Sequence, residues 1–171
     1  MDIKIEQDNI EQLIISYFNA YVKADFDELS QITNMLYPVN EQDRWMVITY
    51  SDYIESYHNI KCHFYSGMNA NSYVVFVEYS TKFKEIDTLV PGLNTFYVSL
   101  DSNQKYSLYT SNLENYDLDP EVNSLIDELL NQAEVKNLFT EVENEYAIAL
   151  KDRKVVETQN LIVNTILEKL K

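Results

Sequence analysis

The first part of the chain carries apolar residues at the spacing of α-helices. Intervals of three and four residues predict one helix near the N-terminus, with a stripe made of Ile10, Leu13, Ile14, Tyr17, Phe18 and Tyr21. Asp8 and Glu11 have the spacing of a capping box, so this helix is predicted to begin at Asp8. Asp25 and Glu28 repeat the signal and predict a short second helix.

The hydrophobic period then changes from helical to alternating. Asn40 is predicted to cap a third helix that extends to about Tyr57. From Ile60 onward apolar and polar residues alternate, which is typical of strands. A hairpin loop is expected at Gly67–Asn71, and a tight turn at Asp87–Gly92, which ends in proline and glycine. The predicted strands are Ile60–Tyr65, Ser72–Lys84, Leu93–Leu100 and Lys105–Thr110.

The last third of the chain returns to helical periodicity. Asp119 followed by Pro120 is a strong start signal, because it joins an N-cap to proline at the first helical position. Three apolar stripes follow, and the last one, in residues 155–171, comes after a charged break at 151–154. We predict that this last segment packs as a lid over the domain or against a second copy of the chain, which would make a homodimer.

The order of elements predicts the fold class. Three helices, then an antiparallel sheet, then more helix favour an α+β fold rather than an α/β fold. A length of 171 residues suits one hydrophobic core. We expect residues 1–113 to form an α+β domain and residues 114–171 to form a helical extension packed on it.

Charge and cysteine content narrow the choice of partners. The formal net charge is −15, with no cluster of Lys or Arg, so nucleic acid is excluded as a partner. No stretch approaches the roughly 18 apolar residues of a membrane helix, so no direct membrane insertion is expected. The single cysteine, Cys62, rules out a disulfide within the chain.

The middle of the chain resembles a known group of domains. The stretches Tyr53–Cys62, Ser72–Tyr79 and Phe83–Val98, the last containing Pro91-Gly92-Leu93, are similar to uncharacterised Firmicutes domains with the nuclear transport factor 2-like fold. That resemblance implies helices packed into the concave face of a bent antiparallel sheet, in the shape of a cone. It also implies an extracytoplasmic setting, with a signal or anchor beyond this chain, and a cytoplasmic setting is the alternative. It implies no reaction, because this fold hosts many functions.

A pocket at the mouth of such a cone is the candidate ligand site. The ketosteroid isomerase type of enzyme needs a carboxylate base beside a tyrosine in an apolar pocket. Glu78 is the main carboxylate that the strands offer, so we assign no catalytic residue, and the tyrosines are also explained as core residues. The candidate pocket residues are Tyr17, Tyr21, Trp45, Tyr65 and Tyr97.

Two apparent metal sites fail on geometry, and no metal or cofactor is predicted. His58, Cys62 and His63 lie close in sequence, but alternation places Cys62 and His63 on opposite faces of one strand. An EF-hand-like spacing begins at Asp117, but Val122 replaces the required glycine and Pro120 starts a helix there.

Two functional hypotheses therefore remain. One is a non-catalytic binding or interaction module of a cell-surface or secreted protein, whose ligand is a protein, peptide or glycan. The other is a protein with a small-molecule pocket, which includes the case of an enzyme of the ketosteroid isomerase-like type. A cone filled by side chains would favour the first hypothesis, whereas an open cavity of several hundred Å³ with an inward carboxylate would favour the second.

Overall fold

The computed structural model describes residues 2–110 and 119–171 of the chain. It contains an α+β arrangement in the predicted order of helices, strands and helices. The elements are α1 (Ile3–Lys23), α2 (Phe26–Thr33), α3 (Glu41–Tyr53), β1 (Ile54–Ser66), β2 (Ser72–Phe83), β3 (Val90–Leu100), β4 (Tyr106–Thr110), α4 (Pro120–Leu130), α5 (Ala133–Ala149) and α6 (Arg153–Lys169). The predicted boundary between residues 113 and 114 lies outside the described residues.

Helix α1 begins earlier than its apolar stripe suggests. Asp2 is its N-cap and accepts a hydrogen bond from the backbone N–H of Lys4, so the predicted start at Asp8 was wrong. The first turn does not continue the buried hydrophobic stripe, since its apolar residues Ile3 and Ile5 are exposed to solvent. It is held instead by the buried Glu6, whose carboxylate accepts a hydrogen bond of 2.7 Å from the Tyr73 hydroxyl on β2.

Helix α3 passes directly into the sheet. Its N-cap is Asn40, as predicted, but it ends at Tyr53 rather than at about Tyr57. The chain continues without a turn into β1, in which Ile54 pairs with Phe83 and Tyr57 with Thr81. Tyr57 keeps the spacing of the apolar face of α3, so the periodicity alone cannot separate the last helical turn from the first strand residues.

The strands form one open antiparallel sheet in the order β1-β2-β3-β4. Both predicted hairpins are present, with β1 joined to β2 and β3 joined to β4. The turn expected at Asp87–Gly92 was wrong, because β3 already begins at Val90 and Gly92 lies opposite Tyr79 of β2. Pairing with a long neighbouring strand overrides the local preference of proline and glycine for a turn.

Both faces of the sheet are covered by helices. Alternation along β2 sends Tyr73, Val75 and Val77 into a core shared with α1, α2 and α3. The intervening Val74 and Phe76 point the other way and pack beneath α4 and α5. The C-terminal helices therefore give the sheet a second hydrophobic face.

Helix α6 closes one end of the domain. Its Val155 and Ile162 are buried in a third cluster with Ile54, Phe83 and Val90 from the sheet. The same helix packs along α3. Helix α6 therefore packs on its own chain, and both a lid role and association with a second copy stay predictions.

Candidate functional site

A large open cavity lies where α1, α3, α5 and α6 meet the ends of β1, β2 and β3. Its volume is about 760 Å³. Cavities of about 300–1,000 Å³ accommodate small-molecule ligands. We call this space the tyrosine cavity, because seven tyrosines line it: Tyr17, Tyr21, Tyr37, Tyr50, Tyr57, Tyr79 and Tyr146.

The tyrosine side chains form a connected aromatic wall. The ring centroids of Tyr57 and Tyr79 are 5.6 Å apart in an edge-to-face arrangement, and both rings contact Phe18. On the α1 side, the ring centroid of Tyr21 lies 6.0 Å from that of Tyr17 and 6.4 Å from that of Tyr50. These separations are typical of favourable aromatic pairs, so the wall is held by ring contacts as well as by burial.

The hydroxyl groups in this wall are held in their neutral form. Burial raises the pKa of Tyr17 and of Tyr21 well above the usual value, and nearby tyrosines raise both further. Burial likewise raises the pKa of Tyr79 to about 12. A neutral phenol can both donate and accept a hydrogen bond. The wall therefore offers polar groups to a ligand without carrying charge.

One buried carboxylate, that of Asp43, lines the cavity. Asp43 lies in the first turn of α3 and is only 6% exposed. Its Oδ2 accepts a hydrogen bond of 3.2 Å from the backbone N–H of Val39, while no hydrogen bond reaches Oδ1 from the described residues. Burial raises the pKa of this carboxyl, and the Val39 N–H partly offsets that effect. The negative charge of Asp43 also raises the pKa of Tyr37 and of Tyr17, which places these groups together.

Asp43 was not predicted as a site residue, because the strands were expected to supply the carboxylate. Asn40 accepts a hydrogen bond of 2.8 Å from the backbone N–H of Asp43, which is the ordinary spacing of a helix N-terminus. That spacing was the available signal, but it indicates a cap and says nothing about a cavity. Glu78 is the strand carboxylate that was considered, and it does not line the cavity. Its Oε2 lies 2.6 Å from the Nε2 of His63.

The five predicted pocket residues occupy three different places. Tyr17 and Tyr21 line the cavity. Trp45 is half-buried on α3, and the Nζ of Lys169 lies 4.8 Å from its ring centroid, which ties α6 to α3. Tyr65 and Tyr97 lie on the other face of the sheet, beneath α4 and α5. The structure thus brings two of the five together, and a role in ligand binding stays a prediction for all of them.

The residues considered as metal ligands have other partners. The Nε2 of His58 lies 2.7 Å from the Ser56 hydroxyl. Cys62 packs against the core on the α1 face, and burial, followed by the charge of Glu11, raises the pKa of its thiol to about 12. No group of three potential metal ligands comes together within residues 2–110 and 119–171. Asp117 lies outside the described residues, whereas Asp119 caps α4, which is helical where an EF-hand would need a loop.

The fold and site define an α+β protein that has a cavity between its sheet and its helices. No helix in the described part of the chain has the length and apolar character needed to cross a membrane. Searches with protein-family models, curated proteins and solved structures found no match for this chain.

Proposed function

We propose that this chain is a small-molecule-binding protein of the nuclear transport factor 2-like type, and that the tyrosine cavity is its binding site. The single observation that carries the proposal is an open cavity of about 760 Å³ that contains an inward carboxylate, Asp43. These are the two features that separate a small-molecule pocket from a filled cone. The proposed role is binding rather than catalysis.

The lining of the cavity supports this proposal. Apolar side chains such as Phe18, Met46 and Phe83 provide surface for the body of a ligand, while the tyrosine hydroxyls provide a few polar contacts. Ligand pockets combine a mostly apolar lining with a small number of convergent polar groups. The cavity also reaches α5 and α6, so the C-terminal helices form part of the proposed site.

The first experiment measures binding of an uncharged fluorescent probe, N-phenyl-1-naphthylamine. We expect saturable binding to one site, with a rise in fluorescence as the probe leaves water. Val163 lines the cavity and is 51% exposed, whereas Leu161 is 53% exposed on the same helix and does not line it. Val163→Trp should weaken binding, and the matched control Leu161→Trp should not. Absence of saturable binding, or equal effects of the two variants, would contradict the proposal.

An enzyme of the ketosteroid isomerase type is the second candidate. It is favoured by one observation: the carboxyl of Asp43 lines the same cavity as Tyr17 and Tyr37, and its charge, after burial, raises the pKa of both hydroxyls. In that type of reaction a carboxylate moves a proton next to a carbonyl group, and a neutral tyrosine stabilises the enolate oxygen. The test is isomerisation of a β,γ-unsaturated ketone, followed by absorbance of the conjugated product. Activity that is lost in Asp43→Asn would establish this candidate, and no activity in the wild-type protein would remove it.

A further inference from the structure

The charges around the tyrosine cavity are all negative. Two acidic residues line it, the buried Asp43 on α3 and the exposed Glu143 on α5. Among the described residues that line the cavity there is no Lys, Arg or His. An anionic ligand would therefore bind beside two like charges without a counter-charge, which is unfavourable.

The carboxylate of Asp43 is only partly satisfied by the protein. Oδ2 accepts the Val39 N–H. No buried side-chain oxygen among the described residues lacks a partner, so Oδ1, which accepts no hydrogen bond from these residues, is solvent-accessible. The neighbouring tyrosines cannot neutralise the charge, because their hydroxyls are neutral donors. A buried carboxylate is stabilised most by a charged hydrogen-bond donor.

The tyrosine rings supply a second feature that a cation recognises. Tyr21, Tyr50, Tyr57 and Tyr79 are only half-buried, so parts of their rings remain open to the cavity. The ring planes of Tyr57 and Tyr79 are 81° apart, and those of Tyr21 and Tyr50 are 57° apart. Rings at such angles present faces in several directions around one space. An ammonium group over a tyrosine face is attracted by the ring quadrupole.

We infer that the tyrosine cavity binds an organic amine in its protonated form, with the ammonium group between Asp43 and the tyrosine rings and an apolar body along the remaining wall. This inference rests on the proposed function and names its ligand class. A hard metal cation would need six or more oxygen ligands. Asp43 and Glu143 are the two carboxylates among the described lining residues, which is too few for such a ligand shell and favours an organic cation over a metal ion.

The test compares three probes with the same apolar body: phenylbutylamine, phenylbutanol and phenylbutyrate. Their affinities are measured by calorimetry or by chemical-shift changes in the protein. We expect the amine to bind about tenfold or more tightly than the alcohol, since it alone makes the charge-assisted contact. Phenylbutyrate should bind most weakly.

Variants then locate the charge that sets this preference. Asp43→Asn, which keeps the size and an acceptor oxygen, should reduce the amine-to-alcohol ratio to near one while the alcohol affinity changes little. Glu141→Gln removes the same charge from an exposed position on α5 that does not line the cavity, and should leave the ratio in place. Loss of the ratio in both variants, or in Glu141→Gln alone, would overturn the assignment to Asp43.

A second pair of variants tests the aromatic part and does not depend on Asp43. Tyr57→Phe keeps the ring and should keep the amine preference, whereas Tyr57→Leu should lower it. Equal binding of amine and alcohol by the wild-type protein would overturn the cation inference, even where the uncharged fluorescent probe still binds. If neither that probe nor any of the three ligands binds, the proposed function fails together with this inference.

Discussion

At the scale of single residues, Asp43 combines a structural role with an energetic cost. It lies at the N-terminus of α3, yet burial raises the pKa of its carboxyl. A raised pKa in the folded state means that this group contributes stability below its unfolded pKa of about 3.9, and that this contribution is lost as the pH rises through the folded value. At neutral pH the ionised carboxylate therefore opposes folding of the ligand-free protein.

We predict that Asp43→Asn raises the melting temperature of the ligand-free protein at pH 7, because the amide avoids the cost of burying a charge. The difference from wild type should shrink as the pH is lowered towards about 4. Thermal melts across this pH range measure it. The control Glu141→Gln changes an exposed acid on α5 and should show no such pH-dependent difference. A variant that is less stable than wild type at pH 7 would mean that Asp43 is mainly a structural cap.

Gly92 is required by the packing of a ring rather than by a turn. A Cβ atom at this position would lie 2.5 Å from the Cζ and from the hydroxyl oxygen of Tyr79. Glycine within a strand often marks such a close approach. Gly92→Ala should therefore destabilise the protein by about 1–3 kcal/mol through overpacking, and should weaken probe binding because Tyr79 lines the cavity.

A double-mutant cycle with Tyr79→Leu separates this cause from a general effect on the strand. The smaller side chain leaves room for the new methyl group, so Gly92→Ala should cost much less in that background. Urea denaturation of the four proteins measures the coupling. Additive effects would show that Gly92 acts independently of the Tyr79 ring.

At the scale of elements, α6 stabilises the domain through one face. Ile162 is 1% exposed among side chains from the sheet and from α5, whereas Leu161, its neighbour in sequence, is 53% exposed. We predict that Ile162→Ala lowers the free energy of unfolding by about 2–5 kcal/mol, and that Leu161→Ala changes it by no more than about 0.5 kcal/mol. Chemical denaturation compares the pair. A large effect of Leu161→Ala would indicate that its exposed side is covered by another molecule in solution.

At the scale of the whole molecule, the C-terminal helices are part of the fold rather than an addition to it. A chain that ends at Thr110 would expose Val74 and Phe76, both fully buried here, and would remove the α5 and α6 walls of the cavity. We predict that it aggregates or lacks a cooperative unfolding transition, as measured by circular dichroism and size-exclusion chromatography. A chain that ends at Asp152 should stay folded with lower stability, because α4 and α5 still cover that face. A monomeric, cooperatively folded chain ending at Thr110 would contradict this prediction.

Much of the secondary structure could be predicted from the sequence because the signals are local. Asp25, Asn40 and Asp119 were predicted helix caps, and each accepts a hydrogen bond from the next turn, at 3.0, 2.8 and 2.9 Å. Alternation along Ser72–Lys84 likewise predicted a strand with two distinct faces, and β2 spans Ser72–Phe83. Capping, periodicity and strand alternation depend on residues a few positions apart, so one chain segment is enough to reveal them.

The site depended on contacts between segments that are distant in sequence. Tyr65 and Tyr97 were expected in the pocket, but they lie on the face of the sheet that packs against α5 rather than α1. The packing of helices from both ends of the chain decides which face each helix covers. The start of α1 likewise depends on a hydrogen bond between Glu6 and Tyr73, 67 residues apart. In the sequence, Asp43 resembles any acid in a first helical turn. Only the tertiary structure places it in one cavity with Tyr17 and Tyr37, whose pKa values it raises. Packing of segments that are distant in sequence creates the cavity, and the resulting burial shifts these pKa values. A local sequence pattern contains no information about that packing.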